Sequence, residues 1–105
     1  GHIDWTESII EIERKLRAYH PWPGMFAIWE RKPENHLRIK ILTIKPADFR
    51  ADVPPGTVVS KEGKLYVDCK DGTLEILELQ PEGKQKMKAA AFIQGYSDFA
   101  GARLV

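Results

Sequence analysis

A chain of 105 residues with ordinary apolar content supports one modest hydrophobic core and not two. No apolar run reaches membrane-spanning length and no secretory leader is readable, while the single cysteine, Cys69, excludes an internal disulfide and fits a reducing, cytoplasmic setting. The net charge of +1 hides basic clusters, six cationic groups in residues 31–50 and then Lys84, Lys86 and Lys88 beside Glu82, so a polyanion is permitted on one face only.

Gly1-His2 reads as an expression scar, leaving residues 3–105 as the domain. A helix is expected just after Asp4 or Thr6. Asp4 and Glu7 have capping-box spacing, and Thr6 is an alternative N-cap. Ile9, Ile12, Leu16 and Tyr19 share one helical face, Glu11 and Lys15 are spaced to pair, and Arg14 and Arg17 form a basic edge beside Ile10. Pro21 and Pro23 stop the helix and push His20 and Trp22 toward extended backbone, and Gly24 frees the turn that follows. Trp22, inside this bracket, is expected to fix how the helix sits on the strands.

Strands follow. Met25–Trp29 is the first, with a turn at Lys32-Pro33-Glu34-Asn35. Leu37–Ile44 alternates Leu37, Ile39 and Ile41 against Arg38 and Lys40, giving one apolar and one basic face. Residues 46–56, with three prolines and a glycine, are expected to be an exposed loop. Glu62-Gly63 and Asp71-Gly72 are tight-hairpin signals that join Val58-Val59, Leu65–Cys69 and Thr73–Leu79 into an antiparallel meander. Ala89–Ile93 reads as a short helix ended by Gly95, and the tail to Val105 as too short for another element. The expected fold is mainly β (α+β): a small open antiparallel β-barrel of the oligonucleotide-binding type, with an N-terminal helix and a short C-terminal helix.

Catalytic chemistry is not legible. His2, His20, His36 and Cys69 lack the paired spacing of a zinc site, the serines lack a nucleophile elbow, and single glycines form no phosphate cradle. Asp68 and Asp71 read as turn chemistry, Asn35-His36 as part of a hairpin turn, and Cys69 as a buried apolar group. A binding module remains. Its candidate contacts to a polyanion are Arg14, Arg17, Arg38, Lys40, Lys84, Lys86 and Lys88. Trp22, Trp29 and Tyr96 are candidates for base stacking, with burial the more ordinary use of such rings.

Two motifs carry a family resemblance: Asp4-Trp5-Thr6 through Leu16-Arg17-Ala18-Tyr19 to Pro21-Trp22-Pro23-Gly24, and Leu79-Gln80-Pro81-Glu82-Gly83-Lys84 through Met87, Phe92 and Gly95. With Pro55-Gly56-Thr57-Val58 and Gly101–Val105, they resemble the C-terminal domain of the methionyl-tRNA formyltransferase family. The resemblance implies a barrel that holds initiator tRNA in a positively charged channel and binds no cofactor itself. It also implies, as a partner, an N-terminal catalytic domain that uses 10-formyltetrahydrofolate to formylate initiator methionyl-tRNA. A monomer without membrane contact is expected. The first motif is shared with other formyltetrahydrofolate-dependent enzymes, including those with amino-sugar acceptors. Where that family often continues with arginines after Gly95, this chain has Tyr96-Ser97-Asp98.

Overall fold

The computed structural model describes all 105 residues. Helix α1 (Ile9–Ala18) precedes strands β1 (Met25–Lys32), β2 (Asn35–Pro46), β3 (Val58–Lys61), β4 (Lys64–Asp68), β5 (Thr73–Pro81) and β6 (Met87–Lys88). Helix α2 (Ala89–Gly95) and a 3-10 turn, Ser97–Phe99, complete the chain. The strands form one curled antiparallel sheet in the order β1-β2-β5-β4-β3, with β6 beside β5. The architecture is the mainly β barrel with terminal helices that the strand pattern predicts.

The tail is not idle. Ile28 and Val105 exchange backbone hydrogen bonds of 2.7 and 3.0 Å, while Leu104 N–H donates to the Gly56 carbonyl and Val58 N–H to the Ala102 carbonyl, each at 2.8 Å. Residues 101–105 thus bridge the gap between edge strands β1 and β3, and Leu104 enters the core. Gly56 is required at this seam: its φ is +87°, and a Cβ there would lie 2.7 Å from the Leu104 carbonyl oxygen.

Helix α1 begins later than the Asp4–Glu7 spacing predicts. Its N-cap is Ser8, whose side chain accepts from Glu11 N–H while the Glu11 carboxylate accepts from Ser8 N–H. Asp4 instead accepts from the Thr6 amide and hydroxyl in a local turn. Asp71 caps the helix from outside, accepting from Ile9 N–H at 2.9 Å. With Glu11 committed to the cap, Lys15 pairs with Glu7 at 2.7 Å and not with its expected partner. Ile12 is fully buried and Ile9 and Leu16 partly so, whereas Tyr19 and Ile10 are exposed.

Residues 46–56 are not a free loop. Ala47, Phe49, Ala51 and Val53 are half-buried between exposed Asp48, Arg50 and Asp52, and the segment lies along the outer side of β4 and β5. Phe49 packs edge-on against Tyr66 with ring centres 4.8 Å apart, and Val53 N–H donates to Asp68 at 3.0 Å. That cover buries Tyr66, Asp68, Thr73 and Glu75 on the outer face, while Leu65, Val67, Leu74 and Ile76 are buried in the core on the other. The second hairpin is correspondingly wider than its Asp71-Gly72 signal: residues 69–72 separate β4 from β5.

Candidate nucleic-acid interface

Strand β2 organises the basic face. Its alternation places Ile39 and Ile41 in the core and turns Arg38 and Lys40 outward. Phe26, Lys40 and Gln80 form one row across β1, β2 and β5, with Ile28 and Arg38 in the next. Beyond β5, Glu82 N–H donates to the Arg38 carbonyl at 2.9 Å, so the Pro81–Lys84 turn stays alongside β2. Lys84 N–H donates to the Pro81 carbonyl at 3.0 Å, and Gln80 Nε2 donates to the Lys84 carbonyl at 2.9 Å. Pro23, Phe26, Gln80, Pro81 and Gly83 line a groove of 260 Å³ together with the charged residues Arg38, Lys40 and Glu82.

The seven nominated cations divide into groups. Arg38 and Lys40 lie in the groove and Lys84 at the end of its turn, with exposed Lys86 two residues on. Lys88 pairs in register with Glu78, whose carboxylate accepts from the Thr43 hydroxyl. Arg17 flanks a second depression formed by α1 and residues 42–44 of β2, with Glu13 beside it, and Arg14 is exposed on the same helix. None of the seven has a carboxylate within 4.0 Å; the ion-paired cations are Lys15, Arg31 and Lys45, with His36 near Glu30.

The aromatic candidates separate more sharply. Trp29 is buried against Phe99, and Tyr96 stacks on Phe92 at 4.6 Å. Trp22 is 82% exposed, which overturns its expected role as a helix-to-sheet wedge. The Tyr96-Ser97-Asp98 departure also has a structural use. Asp98 accepts two hydrogen bonds from Arg31, at 2.6 and 3.1 Å, and the guanidinium lies 5.1 Å from the Trp29 ring centre and 5.4 Å from that of Tyr96. This hydrogen bonding to Arg31 holds the Asp98 carboxyl below its ordinary range. Its stabilising effect is therefore complete above about pH 4 and lost as pH falls through the lower, folded-state value. Urea midpoints of the parent chain and Asp98→Asn should differ at pH 6, and the difference should shrink steadily as pH is taken below about 4.

Burial raises the Cys69 thiol and the Tyr66 phenol, leaving neither poised as a nucleophile. No group of three or more His, Cys, Asp and Glu is gathered to hold a metal ion. No helix is long and apolar enough to cross a membrane.

A family model described as "Formyl transferase, C-terminal domain" matches residues 1–97. The chain belongs to this family. Among curated members, the methionyl-tRNA formyltransferase of Dehalococcoides mccartyi (strain CBDB1) is 39% identical over 99% of this chain and 32% of its own length. That of Myxococcus xanthus is 40% identical over 98% of the chain and 31% of its own length. The chain thus spans about a third of such relatives. The same fold occurs in HypX from Aquifex aeolicus, crystallised with tetrahydrofolic acid: the TM-score is 0.69 at 15% identity, over 94% of this chain and 17% of HypX.

Proposed function

We propose that this formyl transferase C-terminal domain is the non-catalytic RNA-holding part of a methionyl-tRNA formyltransferase. The parent enzyme would transfer formyl from 10-formyltetrahydrofolate to initiator methionyl-tRNA in the cytoplasm at the start of translation. The folate would be bound by the catalytic portion of the parent, with this domain holding the tRNA as a monomer. The observation that carries the reading is the set of unpaired cations along β2 and the Pro81–Lys84 turn, in a chain whose relatives bear that name. Each phosphate such cations neutralise releases counterions, so the logarithm of affinity falls with the logarithm of salt at about −0.9 per contact.

Filter binding of the 105-residue chain to tRNA should therefore weaken steeply between 50 and 200 mM salt. Reversing Lys84 and Lys86 to Glu should lower affinity at least about tenfold and flatten the salt slope by about 2. Both residues are exposed, so the urea midpoint should stay unchanged. Salt-insensitive binding, or a double reversal that binds as the parent does, would refute the assignment of this face.

Exposed Ile10 and Trp22 favour a second reading, a packing domain in a formyltransferase for another acceptor such as an amino sugar. In that case tRNA leaves the amide spectrum unmoved, and the catalytic portion, supplied separately, protects Ile10 and Trp22.

A further inference from the structure

Holding phosphate requires only a cation, yet the groove beside β2 offers more. The Arg38 guanidinium sits 3.8 Å from the centre of the Phe26 ring and remains exposed, so one side of this planar cation rests on the phenyl group and the other meets solvent. Lys40, in the row beside it, runs its stem along the Gly24 backbone, where a Cβ would lie 3.2 Å from its Cδ and Cε. Neither cation has an acidic partner within 4.0 Å. At 260 Å³ the groove is smaller than an ordinary small-molecule pocket. Proteins that read unpaired RNA use flat aromatic and guanidinium surfaces flanked by cations, because a free base has two faces to stack and a phosphate on either side.

We propose that this groove is a subsite for a single unpaired nucleotide of an RNA strand. The base stacks on the solvent side of the Arg38 guanidinium, and its phosphate lies beside Lys40. The proposal rests on the RNA-holding reading above and refines it: charge holds the strand, and this platform favours a nucleotide that is free to leave its helix. Trp22 adjoins the groove residue Pro23 in the chain and is a built-in reporter, because Trp5 and Trp29 are buried.

The test titrates the 105-residue chain at low salt with tRNA, with hexa-adenylate, and with inorganic polyphosphate as a polyanion without bases. Trp22 emission and the Arg38 Nε–H resonance are followed. Hexa-adenylate should bind more tightly than polyphosphate of equal charge and shift the Arg38 resonance. Arg38→Lys, which keeps the charge and removes the planar surface, should weaken hexa-adenylate about five- to tenfold and change polyphosphate binding less than about twofold. If Arg38→Lys affects both ligands equally, the nucleotide subsite is refuted, while continued tRNA binding leaves the broader reading standing. If none of the three ligands binds, both fail. Shifts at Trp22 that depend on protein concentration without nucleic acid would make this face a protein contact and overturn the proposal.

Discussion

Leu104→Ala is expected to destabilise the domain by about 3 kcal/mol, the ordinary cost of emptying a buried leucine site. In a chain of this size that lowers the thermal midpoint by roughly 12–24 °C. Leu104 is 2% exposed, and its backbone N–H is bonded to Gly56, so this one residue fills core and seals the seam. Ending the chain at Ala100 should do more. It removes the hydrogen bonds that Gly101, Leu104 and Val105 donate and exposes the unpaired edges of β1 and β3, which invites association between copies. Circular dichroism should then show no cooperative transition, and light scattering should show aggregates. Val105→Ala is the control. Val105 contributes its backbone to the Ile28 pair while its side chain is 45% exposed, so the cost should stay within about 0.5 kcal/mol. A truncated chain that melts at the parent's midpoint would mean that strand twist alone holds the barrel.

What the sequence makes legible here is local. Alternation in Leu37–Ile44 identifies β2, its inward face and the outward Arg38 and Lys40, because a half-buried strand needs period two. Glu62-Gly63 marks the turn from β3 to β4, where both residues adopt positive φ. Errors arise where a distant segment decides. Ser8-x-x-Glu11 and Asp4-x-x-Glu7 are equivalent as patterns, and the choice depends on Asp71, which reaches the helix start from the β4–β5 connection, and on burial of Ile3 and Trp5 ahead of it. The prolines of residues 46–56 suggest solvent exposure, yet the same stretch alternates Ala47, Phe49, Ala51 and Val53 at strand period; that alternation was the available signal for a covering segment. No local pattern marks Leu104, since a short tail becomes structural only when two strand edges stand open beside it. The groove is half legible for the same reason: β2 is written in its own residues, but the approach of the Pro81–Lys84 turn comes from pairing with β5.

Asp68→Ala should be the most damaging single change to a charged residue, at about 3–4 kcal/mol. Asp68 is wholly buried and accepts from the Thr73 hydroxyl and, at 3.0 Å, from Val53 N–H; the same hydroxyl accepts from Ala51 N–H at 2.9 Å. These bonds fasten residues 46–56 to β4 and β5. Alanine leaves two donors without an acceptor in a site closed to water, and each orphan costs about 1–3 kcal/mol. Thr73→Val tests the order of dependence. It removes the link to Ala51 and the hydroxyl that donates to Asp68 but leaves Asp68 bonded to Val53, so its cost should be smaller than that of Asp68→Ala. Hydrogen exchange distinguishes the way each variant fails: if the covering segment detaches first, the Ala51 and Val53 amides lose protection while Leu74 and Ile76 in the barrel keep theirs. Equal loss at all four positions would mean that cover and barrel unfold as one unit. An Asp68→Ala protein within about 0.5 kcal/mol of the parent would mean that the Phe49–Tyr66 contact holds the segment without help, and that the buried carboxylate is dispensable.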